Sequence, residues 1–374
     1  MVRSAVPPGG SKTGERALIA AFKQQALQAL PRSSSLRIGI GDDCAVLQPR
    51  PGHEVVVTTD LFLESVHFRR DWHTPESAGH RCLARGLSDL AAMGADPLAA
   101  FLSVAIPPEL ALARGRTQSW ISRFLDGLLH LAREANLPLA GGDTAQAPQF
   151  PVPAPARKLP IGQPSSFLAA DIVLLGSVPA QQALLRSGAR AGDLIYVTGY
   201  LGGAAAELQL LAGNRPKRLR TLRKPTPGRQ HPHLFPEPRL AVGRRLRGRA
   251  SAAMDLSDGL ATDLAHLCRA SVVYAVLEDQ RLPIHSLARG QHAARELALS
   301  GGEDYELLFT APPSAEIPRS IAGVPTHNVG FIRKLKQGES PGISVRTGEG
   351  EQPISSTGWE HFQSSPETTY PRNY

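Results

Sequence analysis

Carboxylates stand where apolar runs end along this chain. Asp42 and Asp43 follow Gly41 in GIGDDCAVL, Asp60 closes the β-branched run EVVVTTD, and Asp143 closes LAGGDT. Asp89 interrupts the Leu/Ala-rich LARGLSDLAAMG, Asp255 and Asp258 fall in MDLSDGL, and Glu303 and Asp304 lie in SGGEDYELLFT. Each admits a plain reading. An Asp in a Gly-rich turn makes an Asx turn. Asp258 suits the first turn of a helix with Ser257 as its N-cap, and Asp89 suits the polar side of its helix. Together they constrain the fold more strongly. Several sit beside glycines, where backbone can approach a ligand closely, and acidic groups gathered in one place require a neutralising cation. Oxygen ligands without paired His or Cys suit Mg²⁺ and not zinc. Aspartates with Mg²⁺ point to phosphate chemistry.

The segments between these carboxylates alternate in type. Residues 15–30 read as a helix, 36–40 and 46–48 as strand pieces around the Gly-Asp-Asp turn, and 54–60 as a strand. Residues 77–93 carry Leu83, Leu87 and Leu90 at helical spacing, with Gly94 as the C-terminal cap. A strand at 97–105, a helix at 117–135 and a short strand into Gly141-Gly142-Asp143 follow. After a proline-dense stretch at 147–170, strand-like IVLLG occupies 172–176. Then come a strand at 192–198, a helix at 199–211, a helix after Asp258 and the strand ELLFT at 306–310. The alternation predicts an α/β (α+β) class. The 374-residue length predicts two domains: 14–188 and 189–374, after a disordered N-terminus at 1–13, with residues 147–170 as a surface insertion.

Composition removes several function classes. The net charge is +8, from 41 Lys and Arg against 33 Asp and Glu, with many of the basic residues at 215–249. No zinc-finger spacing or aromatic RNA-binding signature accompanies that run, so it reads as a solvated surface and no nucleic-acid partner is expected. Cys44, Cys82 and Cys268 are odd in number and far apart, which fits a reducing compartment. No apolar stretch approaches the roughly 20 residues of a membrane helix, and residues 1–10 have no signal-peptide core. A soluble cytoplasmic protein is expected. GIGDDC lacks the third glycine of a dinucleotide fingerprint; HExxH, GxSxG and the protein-kinase set are missing as well. His231 and His233 show no third ligand and read as loop residues.

The ordered set GDDCAVL, TTD followed by VHF, LSDLAAMGADP, GGDT, LLRSGARAGDLIYVTG, DLSDGL and GGEDYELLFT resembles the thiamine-monophosphate kinase family from about residue 14 to residue 359. That family belongs with aminoimidazole ribonucleotide synthetase, selenophosphate synthetase and the hydrogenase maturation factor HypE. The resemblance implies a two-domain PurM-like fold, with the N-terminal sheet paired in a homodimer barrel and a C-terminal α/β domain closing over the site. It implies ATP-dependent phosphorylation of thiamine monophosphate to thiamine diphosphate. Asp42, Thr58, Thr59, Asp60, Asp89, Asp143, Asp255 and Asp258 would hold several Mg²⁺ ions. Gly142, Asp143, Arg186 and Ser257 would contact ATP, and His67, Glu303 and Trp359 the thiamine monophosphate. Two features depart from the family: a longer stretch between Asp143 and Arg186, and Leu125 where a nucleotide-contacting tyrosine often stands.

The acceptor in such a reaction is a phosphate monoester with a second pKa of about 6. It is already largely a dianion at neutral pH, so no strong base is required and direct transfer is expected. Other readings remain. A selenophosphate synthetase would need a Cys before Cys44, and a HypE protein a C-terminal Cys after Cys268; neither occurs. A non-catalytic nucleotide-binding protein would have lost acidic positions that this chain keeps.

Overall fold

The computed structural model describes residues 15–29, 35–111, 118–149, 166–213, 222–224 and 230–354. Residues 1–13, most of the proline-dense stretch and Trp359 lie outside them. Among the described residues no helix is long and apolar enough to cross a membrane.

Helix α1 (Glu15–Ala29) precedes the strand pair β1 (Leu36–Ile38) and β2 (Val46–Leu47), which flank the Gly-Asp-Asp turn. The long strand β3 (His53–Leu63) leads into α2 (Pro75–Ala92). Local chemistry sets the start of α2: the Thr74 side chain accepts the Ser77 amide at 3.2 Å, and Pro75 supplies a preset first turn. Leu83, Leu87 and Leu90 form its buried stripe, and it stops before Gly94. Next come β4 (Asp96–Ile106), the short α3 (Pro108–Ala111), α4 (Trp120–Glu134), β5 (Leu139–Gln146) and β6 (Ala169–Pro179).

Four of these strands form one sheet in the order β3-β6-β4-β5, with β4 and β5 parallel and the other pairs antiparallel. Helices α2 and α4 pack together to cover one face. A methyl group on Gly79 would collide with the Phe124 carbonyl, and one on Gly127 with Glu76, so these two glycines permit the close crossing. Leu125 is fully buried in this core beside Phe62, Phe124 and Leu128. The opposite face is open: Val55, Val57 and Leu61 of β3 are 47%, 61% and 59% exposed.

The second half contains β7 (Leu194–Thr198), α5 (Gly203–Ala212), α6 (Leu240–Leu246), β8 (Ala252–Asp255), α7 (Leu260–Ser271) and β9 (Tyr274–Glu278). It continues through α8 (Ser286–Arg289), α9 (Ala294–Ser300), β10 (Leu307–Ala311), β11 (Ser320–Ile321), β12 (Val324–Arg333), β13 (Gly342–Thr347) and β14 (Gly350–Pro353). Its sheet runs β14-β13-β9-β12-β7-β10-β8, with β11 attached to β12. Helix α5 begins at Gly203 and not at residue 199, because Gly199 and Gly202 take positive φ and form a turn.

The end of α2 joins the halves. Ala91 and Ala92 share a buried cluster with Val242 and Leu246 of α6, Ala253 of β8 and Phe309 of β10. Among the described basic residues at 215–249, Arg223, Lys224, Arg244, Arg245 and Arg249 are exposed, as expected of a solvated surface. Arg239 is largely buried and paired with Glu306, while Arg244 and Arg247 pair with Asp96.

Candidate active site

Asp60, Asp89 and Asp255 converge where α2 meets both sheets. Along β3 alternate residues face opposite sides, so Thr58 and Asp60 point toward α2 with Phe62. The Thr58 hydroxyl donates to Asp89 Oδ2. Arg85 Nη2 donates to Asp60 Oδ1 at 3.1 Å. From the same helix, Ser88 Oγ donates to Asp255 Oδ2 at 2.9 Å, across to the end of β8.

The electrostatics are those of an acidic seam that Arg85 and Arg186 offset only in part. Burial pushes Asp60 up to about 6, with Asp89 and Asp171 adding and Arg85 opposing. Burial pushes Asp255 up to about 7, with Asp89 and Asp60 adding. Asp89 is raised by burial too, against the pull of Thr58, Arg186 and Arg85. Arg186 therefore belongs to this field, acting on both Asp89 and Asp255.

Asp258 and Ser257 lie on the turn beyond β8, but Ser257 is not an N-cap. Helix α7 opens at Leu260 after Gly259, and Asp263 in its first turn accepts the amides of Asp258 and Gly259, both at 3.1 Å. The expected cap fails because the residue at 259 takes a φ of +106° that only glycine holds easily, and an acid from inside the helix secures the turn. The Ser257 carbonyl accepts the Glu303 amide at 2.7 Å, tying this turn to the next site.

Asp42, Gly142 and Asp143 gather elsewhere, around a cleft of about 590 Å³. Ile19 and Phe22 of α1, the turn at 41–45 and residues 141–144 of β5 line it. Asp42 Oδ1 accepts the Asp43 amide at 2.9 Å, and Asp143 Oδ1 the Thr144 amide at 2.8 Å. Lys23 lays its Nζ against Gly41, where any side chain would collide with it.

Strand register measures the separation. Asp60 pairs with Ile172, Ile172 with Leu102, and Leu102 with Gly142. Three strand spacings of about 4.8 Å put Asp60 and Gly142 about 14 Å apart. Asp143 shares its register line with Ser103, Asp171 and Leu61, on the open face of the sheet, and Thr59 faces that way as well. A single chain thus brings Thr58, Asp60, Asp89 and Asp255 together and leaves Thr59, Asp42 and Asp143 apart from them. Among the described residues no three His, Cys, Asp or Glu side chains form a ready cation cage. That donor set still fits Mg²⁺ carried by phosphates, which takes one or two carboxylates per ion.

His67 and Glu303 do come together, lining one pocket with Phe68, Trp72, His73 and His233. Arg81, fully buried in α2, organises it: its Nη2 donates to Glu303 Oε1 at 2.7 Å and to the His67 carbonyl at 3.1 Å, and its Nη1 to the His233 carbonyl. His233 Nδ1 lies 3.2 Å from Glu303 Oε2. Burial works to raise Glu303, but Arg81 and His233 outweigh it and hold the carboxyl well below its usual range. Burial lowers His73 and His233, whose Nε2 atoms are 3.2 Å apart. His231 and His233 occupy a turn, as expected of loop residues, yet both are buried, and His231 Nδ1 meets Glu207 at 2.7 Å.

Sequence reasoning missed Arg81, Arg85, Asp263 and Lys23. The signal for the first two was present: Arg81, Arg85 and Asp89 are spaced by four on one helix and therefore share a face.

Fold and acidic seam together define a phosphate-handling protein of the PurM-like class. Residues 41–156 match the family model "AIR synthase related protein, N-terminal domain". A structure of HypE in complex with ATP superposes with a TM-score of 0.67 over 93% of this chain and 96% of that one, at 16% identity, which speaks to the fold alone.

The nearer likenesses agree on one family. The chain is 34% identical over 360 residues to thiamine-monophosphate kinase of Haemophilus influenzae, covering 94% of this chain and 99% of the relative. A crystal structure of thiamine-monophosphate kinase from Stenotrophomonas maltophilia K279a matches at 34% identity and a TM-score of 0.69, over 88% of this chain and 95% of that one. A structure of AaThiL complexed with AMPPCP and TMP matches at 27% identity and a TM-score of 0.65, over 93% and 97%. The chain belongs to the thiamine-monophosphate kinase family, whose members are phosphotransferases acting on a phosphate group.

Proposed function

We propose that this chain transfers the γ-phosphoryl group of ATP directly to thiamine monophosphate, giving thiamine diphosphate and ADP, with Mg²⁺ held by its aspartates. The observation that carries this reading is the seam itself: Asp60, Asp89 and Asp255, all raised toward neutrality, adjoin the His67–Glu303 pocket through Arg85. Buried carboxylates of this kind favour a cation. The structure of AaThiL with AMPPCP and TMP supports ATP and thiamine monophosphate as the two substrates here.

In this reading Mg²⁺ supplies charge neutralisation between the two phosphates and alignment for in-line attack. The chain's own residues do the rest. Thr58, Asp60, Asp89, Asp255 and Asp258 provide oxygens at the junction, and Arg186 adds a cation beside them. Gly142 and Asp143, on the edge strand β5, would offer backbone N–H groups to nucleotide phosphates, and Ser257 stands by the junction. Glu303, kept ionised by Arg81 and His233, suits the positive thiazolium ring, and His67 flanks it. Trp359 remains the third proposed substrate contact. Leu125 contributes to the core and not to a nucleotide site.

A homodimer completes the account. Val55, Val57 and Leu61 leave an apolar face open to solvent, and burying each contributes roughly 1.5–3 kcal/mol. Apposing that face with a second copy would also carry Thr59, Asp42 and Asp143 toward another subunit's phosphates, which the 14 Å within one chain does not allow. We place the boundary of the two domains at 188/189 and the protein in the cytoplasm.

The test is product formation from ATP and thiamine monophosphate with and without Mg²⁺. Stoichiometric ADP and thiamine diphosphate, dependent on Mg²⁺, is the expected result. ADP without thiamine diphosphate would show that the acceptor is wrong.

A further inference from the structure

Arg85 stands between the two halves of the proposed site and belongs to neither assignment. Its Nη2 lies 3.1 Å from Asp60 Oδ1, on the side of the acidic seam. Its Nη1 lies 3.1 Å from the Tyr305 hydroxyl and 4.0 Å from Glu303 Oε1, on the side of the substrate pocket. Its Nε is buried and has no hydrogen-bond partner among the described residues. Arg81, one turn earlier, is closed off, with 1% of its side chain exposed and its Nη atoms engaged by backbone carbonyls and Glu303. Arg85 keeps 17% exposure.

We propose that Arg85 is the residue that binds the acceptor's phosphate monoester, a role that rests on the reading of this site as a thiamine-monophosphate kinase. The two neighbouring groups, Asp60 and Glu303, are both acidic and would repel a dianion brought between them. A guanidinium at that point removes the repulsion and offers a planar fork suited to phosphate oxygens. In the unliganded protein Asp60 takes up part of that fork. When a cation engages Asp60, the Nη2 donor is released toward the phosphate, so the same carboxylate links metal binding to acceptor binding.

The experiment is calorimetric titration of thiamine monophosphate and of thiamine, which lacks the phosphate, into the full chain with Mg²⁺ and AMPPCP present. Wild type should prefer thiamine monophosphate. Arg85→Ala should weaken thiamine monophosphate by on the order of 10- to 100-fold, the worth of charged hydrogen bonds, and leave thiamine within about twofold, since no bond to the rings is lost. Arg85→Lys, which keeps the charge, should fall between them, and it serves as the deciding variant if Arg85→Ala loses its native melting transition. Equal weakening of both ligands, or no weakening of either, overturns the role of Arg85 while leaving the function intact. Failure of wild type to bind either ligand overturns the function, and this proposal with it.

Discussion

Asp60, within β3, and Asp255, at the end of β8, lie inside the molecule beneath α2, whereas Asp42, in the 41–45 turn, and Asp143, on β5, are exposed around the cleft beside α1. The first pair is held by side chains of one helix, Arg85 and Ser88. The second pair folds back on its own backbone, each accepting the next residue's amide. Interior carboxylates of this kind are costly to ionise and stay in place only because packing holds them. Exposed carboxylates such as Asp42 and Asp143 cost little to ionise. In the proposed reading the same residue type serves two purposes: the interior carboxylates face a cation at the junction of the sheets, and the exposed pair faces phosphates once substrate and a second subunit bring it near.

The largest break between the two regions should come from neutralising the interior. Asp60→Asn or Asp89→Asn should lower kcat by roughly 10³-fold with the fold retained by circular dichroism. Near-normal turnover at saturating Mg²⁺ would remove these residues from the metal site. Next is the open face. Val57→Lys should give a monomer by sedimentation and lose about 10²-fold in turnover, with the interior seam undisturbed. A fully active monomer would detach Asp42 and Asp143 from the reaction. Asp143→Asn, on the rim, should raise the Mg²⁺ concentration for half-maximal rate by roughly 10-fold with a smaller loss of kcat.

The smallest effect is in stability against pH, and its sign follows from proton counts. Unfolded Asp titrates near 3.8, while folded Asp60 and Asp255 titrate at about 6 and about 7. Between those values the folded chain holds protons that the unfolded chain has lost. These two carboxyls therefore contribute stability that is lost as pH rises from about 4 to about 7, against the opposite contribution of His73, His80 and His233, which burial lowers. The difference in melting temperature between wild type and Asp255→Asn, followed across that range, isolates the Asp255 contribution and should shift steadily against wild type as pH rises.

Much of this contrast was legible in sequence, and the rest shows why some was not. Helix α2 was readable because Leu83, Leu87 and Leu90 repeat at helical spacing and Gly94 ends the pattern. His67 and Glu303 were reachable only through motif resemblance; neither has a local signature, and their meeting depends on Arg81, which is 222 residues from Glu303. The metal set was read as one group, and within one chain the structure divides it between the two faces of a sheet. Thr58 and Thr59 are adjacent on a strand, so period-two alternation already sends them to opposite faces. The burial of His233 was unreadable, since it follows from packing against Arg81, 152 residues away. The missing cap at Ser257 reflects the Asp263 side chain, whose reach back to Gly259 no capping pattern announces.

The central claim is that metal-bound phosphates sit at the Asp60–Asp89–Asp255 junction. The most direct test is anomalous diffraction from crystals grown with Mn²⁺ in place of Mg²⁺, AMPPCP and thiamine monophosphate. The account predicts Mn²⁺ peaks bonded to oxygens of Asp60, Asp89 and Asp255, with phosphate oxygens completing their coordination. Peaks confined to Asp42 and Asp143, with the junction carboxylates unligated, would contradict it.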